Sequence, residues 1–204
     1  MKGKLIVLEG IDGAGKSTLA KNLYKSLLKE GRPSILTFEP TKGRYGAKLR
    51  ESFLSKERLS PEKELELFVL DRKEHLRDVV LPALKEGKIV ICDRYYFSTI
   101  AYQGARGMDT AKIRKINEEF APPPHLLFIV ELEPEEAVLR IKEKRGEAPN
   151  SFEGLKYLKR VDFIFKGFPD PFIERLDGAL SEEKLLEAAF EKVHSLLKGD
   201  PSLS

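Results

Sequence analysis

The sequence predicts an α/β fold: a three-layer α/β/α sandwich around a five-stranded parallel sheet. Short β-branched runs alternate along the chain with longer stretches at helical period. Runs such as LIVLE and KIVICD are apolar almost without interruption, as strands covered on both faces must be. Helix-starting and helix-ending residues fall between these segments, as the layered arrangement requires. At 204 residues the chain can build one well-covered core, and a single domain over 1–204 is expected.

Leu5 to Glu9 is the first strand, followed at helical period by Lys16 to Glu30, which Gly31 closes. Ser34 to Phe38 is the second strand and Gly46 to Ser55 the second helix. Pro61 to Glu86 reads as one long helix, with Ser60 as its cap and proline in the first position, where a missing N–H is harmless. Ile89 to Asp93 forms the third strand, and Ser98 to Gly104 and Thr110 to Phe120 the next helices, the second stopped by APPPH. Leu126 to Glu131 is a strand and Pro134 to Glu143 a helix. KEKRGEAPNS, basic and holding Gly146 and Pro149, reads as a surface loop. A helix over Phe152 to Phe165, a strand over Phe172 to Leu176 and a helix over Ser181 to Leu197 complete the pattern, with GDPSLS as a frayed tail.

Charge is nearly balanced, 36 basic against 33 acidic residues, so a long-range field offers no attraction to nucleic acid or membrane, and neither is expected as a partner. No long basic helix interleaved with aromatics and no N-K-x-D sequence is present, which disfavours a nucleic-acid ATPase and a GTPase switch. The start MKGKLIVLEG has only four consecutive apolar residues before Glu9, too few for a secretory or spanning segment. The lone Cys92 lies in an apolar run, as a small core residue would. A soluble protein of the reducing cytoplasm is expected.

Gly10, Ile11, Asp12, Gly13, Ala14, Gly15, Lys16, Ser17 and Thr18 fit G-x-x-x-x-G-K-[ST] between a strand and a helix, the context this phosphate-binding P-loop needs. Its glycines let the amides of residues 13 to 18 turn inward around a phosphate, and the helix N-terminus adds partial positive charge. Lys16 then reaches the β- and γ-phosphates of ATP, and Ser17 ligates Mg²⁺. Asp93 and Arg94 end a second strand which, in a parallel sheet, finishes at the same edge. There a carboxylate can hold Mg²⁺ through water while the arginine faces the phosphates being joined.

LEGIDGAGKST, EPTKGRYGAKLR, LFVLDRKEH and DRYYFSTIAYQGARG, in this order, resemble the thymidylate kinase family. RIKEKRGEAPNSFE followed by LKYLKRV resembles that family's lid, about 142–153, and the helix after it. The resemblance implies a P-loop kinase that passes the ATP γ-phosphate to dTMP in dTTP synthesis, with Mg²⁺, as a homodimer. Phe68 and Arg72 lie four apart on one helical face, so one can stack on a pyrimidine while the other donates to a ring carbonyl. The matching family residues do this.

The resemblance also gives Asp12 the acceptor sugar's 3′-hydroxyl, Tyr102 the ring against C2′ that disfavours a ribose, and Thr99 and Gln103 places along the base pocket. Glu39 stands with Pro40 in the acceptor segment. Family members take a mobile arginine from the P-loop or the lid; Gly13 occupies the P-loop position here, so the lid must provide it. Arg145 is the expected donor, with Lys142 and Lys144 as helpers and Arg140 nearer the adenine. His75 is expected to be structural. Phe38 replaces an arginine that many relatives carry before Glu39, and Arg44 or Tyr45 is the expected substitute. The acceptor alternatives are dUMP, UMP or a deoxynucleoside.

Overall fold

A computed structural model describes residues 3–145 and 154–199. Its sheet has five parallel strands, β1 (Lys4–Glu9), β2 (Ser34–Phe38), β3 (Ile89–Asp93), β4 (Leu126–Glu131) and β5 (Ile173–Asp177), in the order β2-β3-β1-β4-β5. The middle strands are apolar because helices cover both their faces: Leu5 to Leu8 and Val90 to Cys92 are almost wholly buried. Helix α1 (Lys16–Lys29) packs on β1, β2 and β3, and α9 (Glu182–Lys198) on β4 and β5.

The chain leaves β1 for the edge strand β2, returns to β3 beside β1, and then crosses to β4 on the other side. The crevice beyond the carboxyl ends of β1 and β3 is therefore the place where such sheets bind ligands. Leu8 pairs with Asp93 across that boundary, so the turn after Glu9 and the Asp93-Arg94 pair emerge side by side.

Differences from the sequence reading have local causes. Helix α2 begins at Arg44 rather than Gly46 (Arg44–Leu54), and Gly46 packs so closely that a Cβ there would lie 2.0 Å from the Thr41 carbonyl oxygen. The long third helix divides into α3 (Pro61–His75), a π-helical turn (Leu76–Val80) and α4 (Leu81–Lys85). Pro82 has no N–H for the preceding turn and its ring crowds the carbonyl four residues back, which accounts for the widened turn before it. Ser60 caps α3 as expected, accepting from the Lys63 N–H at 3.3 Å. Helix α5 (Tyr96–Gly104) starts earlier than Ser98 and β5 one residue later than Phe172. Helices α6 (Thr110–Glu118) and α7 (Pro134–Arg145) match the expected segments, and α8 (Leu155–Lys166) begins after its N-cap Gly154, the expected start at Phe152 lying outside the described residues. Among the described residues no helix is long and apolar enough to cross a membrane.

Candidate active site

The P-loop wraps the end of β1 as its glycines allow. Gly10, Gly13 and Gly15 have φ of 132°, 87° and 99°, and a Cβ on Gly10 would meet the Val130 carbonyl oxygen at 2.4 Å. Gly15 is the N-cap of α1 and has no side chain to satisfy the helix's first N–H groups, which leaves them for an anion. Lys16 is buried and donates from Nζ to the Ile11 carbonyl at 2.6 Å. Burial, and then the neighbouring Arg94, lower its pKa to about 8.

Two cavities open at this edge. The larger, of about 720 Å³, is lined by Asp12 through Leu19 and by Asn22, Arg94, Arg140 and Leu180, among others. Of the residues expected to bind the donor, Gly10 and Ile11 stand behind this wall: Gly10 provides the turn and Ile11 the carbonyl that Lys16 meets. Arg140 lines the cavity and donates to the Gly178 carbonyl at 2.9 Å. The side chains of Lys144 and Arg145, and residues 146–153 of the expected lid, lie outside what the structure describes.

The second cavity, of about 220 Å³, is lined by Asp12, Glu39, Phe68, Arg72, Arg94, Thr99, Tyr102 and Gln103, every residue expected for the acceptor, together with Pro40, Phe53, Arg58, Tyr95 and Ser98. Arg72 is 1% exposed, a buried guanidinium whose charge must be offset. It donates from Nε to Glu39 (2.8 Å), from Nη1 to Asn117 (2.5 Å) and from Nη2 to Thr99 (3.0 Å). Nη2 also lies 2.6 Å from Glu39, which leaves an N–H on Nη1 as the donor for a ligand. Burial pushes the Glu39 carboxyl up, but Arg72 and His75 more than offset it and hold it below its ordinary value. His75 bonds Glu39 through Nδ1 at 2.9 Å and Thr37 through Nε2 at 2.6 Å, so its structural role consists of fixing a wall of this cavity.

Asp12 and Arg94 belong to both cavities and are paired, Nη2 of Arg94 donating to Oδ1 of Asp12. Burial alone would lower the Arg94 pKa; Asp12, Tyr102 and Asp93 reverse this, and it stays firmly cationic. Its guanidinium lies 5.3 Å from the centre of the Tyr102 ring. The Tyr102 hydroxyl accepts from the Asp12 N–H at 3.1 Å. Beside them, the Ser17 hydroxyl donates to Oδ2 of Asp93, whereas Oδ1 of Asp93 is buried with no hydrogen-bond partner among the described residues. An unsatisfied carboxylate oxygen next to a hydroxyl is a donor set that suits a hard divalent cation.

The expected substitutes for the missing arginine are elsewhere. Arg44 is 69% exposed and pairs with Glu74 at 2.6 Å, and neither it nor Tyr45 lines the smaller cavity. Besides Arg72 and Arg94, that cavity is lined by Arg58, from the loop before α3. Glu64, wholly buried, fixes it with bonds of 2.5 and 2.7 Å and also accepts from Gln103 (2.9 Å) and Arg106 (2.5 Å). Replacing Glu64 with alanine strands these cations, and a loss of about 3 kcal/mol in unfolding free energy is expected by denaturant titration. A loss below about 1 kcal/mol contradicts the network's importance.

Sequence reasoning missed Arg58, Glu64, Ser98, Asn117 and Glu9. Only Glu9 carried a signal, as an acid ending a buried strand. It is fully buried, which drives its pKa up to about 7 against the lowering effects of Ser98 and Arg94.

A phosphate-binding turn sharing an aspartate and an arginine with a neighbouring pocket defines the class, a P-loop phosphotransferase. The family model for thymidylate kinase matches residues 8–187. Thymidylate kinase of Brachyspira hyodysenteriae is 48% identical over 187 residues, covering 92% of this chain and 91% of that one. That of Desulfotalea psychrophila is 42% identical over 196 residues, 96% of each, and a probable thymidylate kinase of Archaeoglobus fulgidus is 42% identical over 193 residues, 95% of this chain and 96% of that one. The chain belongs to the thymidylate kinase family.

Proposed function

We infer that the chain, as a single P-loop kinase domain, transfers the γ-phosphoryl group of ATP to dTMP, giving ADP and dTDP for dTTP synthesis. The supporting observation is the common wall: Asp12 and Arg94 face both cavities, so a donor in the larger and an acceptor in the smaller meet at one guanidinium. Phe68 stacks on the thymine, Arg72 donates to a ring carbonyl, and Thr99 and Gln103 border the base. Asp12 exchanges its bond to Arg94 for the sugar 3′-hydroxyl, and Tyr102 packs against C2′. Arg94 then holds the acceptor phosphate in line with the donor, where offsetting anionic charge is most of the catalysis. An acceptor phosphate oxygen is already a nucleophile, so no catalytic base is assigned.

Ser17 and Asp93 are the residues that hold Mg²⁺, and the bound ion neutralises charge on the donor phosphates. Lys16 leaves the Ile11 carbonyl for the β- and γ-phosphates, and Arg145 completes the cage from the lid. A cytoplasmic homodimer is proposed by extension from the family resemblance.

Because ATP phosphates demand an ammonium and unliganded Lys16 has a pKa of about 8, ATP binding at about pH 8.5 is expected to take up protons and to weaken as pH rises further. Calorimetry in two buffers of different ionisation enthalpy reads the uptake directly. Equal apparent enthalpies in the two contradict it. The acceptor is tested by a coupled assay over dTMP, dUMP, UMP and thymidine. The highest kcat/KM is expected for dTMP, with UMP poorest among the monophosphates; thymidine outrunning dTMP overturns the assignment.

A further inference from the structure

Glu9 has no part in the chemistry described so far, yet it is a fully buried carboxylate directly before the first P-loop glycine. Such a group is tolerated only when its oxygens are bonded. Oε1 of Glu9 accepts from the backbone N–H groups of Tyr95 (2.8 Å) and Ser98 (2.9 Å), and Oε2 accepts from the Ser98 hydroxyl (2.5 Å). Tyr95 is the N-cap of α5, makes no cap bond with its own side chain, and is followed two residues after the helix start by Ser98. One carboxylate from another element thus performs both halves of a capping box, the bond to the N-cap N–H and the bond to the N–H of the third helical residue.

The arrangement continues to Arg94. Nη1 of Arg94 donates to the Ser98 hydroxyl oxygen at 2.9 Å. With the hydroxyl proton committed to Glu9, its lone pairs face the guanidinium. Arg94 itself has a φ of 73°, a left-handed conformation that L-residues avoid. That turn is clamped at both ends: the Arg94 N–H donates to the Leu8 carbonyl at 3.0 Å, and the next N–H, that of Tyr95, donates to Glu9.

We propose that Glu9 is a positioning residue for phosphoryl transfer, holding the Arg94 guanidinium in the common wall by fixing the Ser98 hydroxyl and the Tyr95 N–H. Glutamine at this position has nearly the same shape and keeps an oxygen for the two backbone N–H groups. Its amide nitrogen, however, donates where Glu9 accepts. The Ser98 hydroxyl must then turn a lone pair toward residue 9, where it competes with Arg94, and a nearby anion that helps retain the guanidinium is lost.

The inference rests on dTMP phosphorylation, and the tests separate the two. With ATP and dTMP at about pH 8, above the Glu9 pKa of about 7, so that the carboxylate is ionised, Glu9→Gln and Ser98→Ala are expected to lower kcat by about 10- to 100-fold, the scale of a misplaced catalytic group, with KM for ATP changed by about twofold or less. Ser98→Thr keeps the hydroxyl and is expected to restore most of the rate. In an Arg94→Ala background, Glu9→Gln is expected to cost nothing further, because the group it positions is gone. Normal kcat in Glu9→Gln, or the same loss with and without Arg94, overturns the proposal. If Glu9→Gln does not fold, Ser98→Ala carries the same test against Ser98→Thr. If the unaltered chain fails to use dTMP, the substrate reading falls, and a crystal structure of Glu9→Gln still decides the positioning: a displaced Arg94 guanidinium supports it and an unmoved one refutes it.

Discussion

Arg94→Ala is expected to lower kcat by about 10³-fold while leaving the fold intact, the scale observed when an arginine that stabilises phosphoryl transfer is removed. The large effect follows from geometry. Arg94 lines both cavities, and its bonds to Asp12 and Ser98 hold it there as a cation. The small effect on stability follows from access: the Asp12 side chain is 27% exposed, so water can replace its lost partner. Lysine is not expected to rescue the rate, since it has no planar fork to bond two groups at once.

The backbone gives a sharper form of this prediction. At a φ of 73°, glycine avoids a steric cost of about 1 kcal/mol that alanine retains. Arg94→Gly should therefore be as inactive as Arg94→Ala and the more stable of the two, as read by kcat and by chemical denaturation. An active glycine variant, or one less stable than alanine, contradicts the assignment of strain to this position.

Lys16→Ala is the second large effect expected, a fall in kcat on the order of 10³-fold with weaker ATP binding, because in the proposed mechanism the ammonium meets the phosphates whose charge must be offset. Its effect on the unliganded fold has the opposite sense. Lys16 titrates at about 8 in the folded chain against 10.5 ordinarily, so the unfolded chain binds more protons between those values. Stability should rise with pH over that window, and below it the buried cation imposes a constant penalty. Lys16→Met keeps the stem and removes the charge. It should be inactive, no less stable than the unaltered chain at pH 7, and without the rise above about pH 8. A kinase that keeps its turnover without Lys16 overturns the role.

The sheet was legible because its strands carry the pattern of burial on both faces, and each was found within a residue or so of its position. The helix over Pro61 to Glu86 was not, because periodicity sees an apolar stripe pass through Pro82 undisturbed while the backbone must widen before a missing N–H. The Asp93-Arg94 pair was readable from its place at a strand end. Its meeting with Ser17 followed from the shared sheet edge, but its pairing with Asp12 did not: Asp12 lies 82 residues from Arg94 in sequence. Glu64 and Asn117 look in sequence like polar positions on ordinary helices, and only the tertiary arrangement turns them inward to Arg58 and Arg72. Arg44 failed as a substitute for the opposite reason, since proximity in sequence to Glu39 did not prevent it from turning out to Glu74. Phosphate-site residues announce themselves because backbone geometry restricts their identity; supporting residues are constrained only by whom they meet.

The most direct test is a crystal structure with a bisubstrate analogue in which adenosine and thymidine are joined through a run of phosphates. The adenosine end is expected in the cavity bordered by Asn22, Arg140 and Leu180, the thymine against Phe68 and Arg72, and the phosphate run along the wall where Arg94 and Asp12 stand. Arg94 should bond the phosphate nearest the thymidine, with Asp12 released to the sugar. A phosphate run that bypasses Arg94, with the Asp12 pair still closed, contradicts the account.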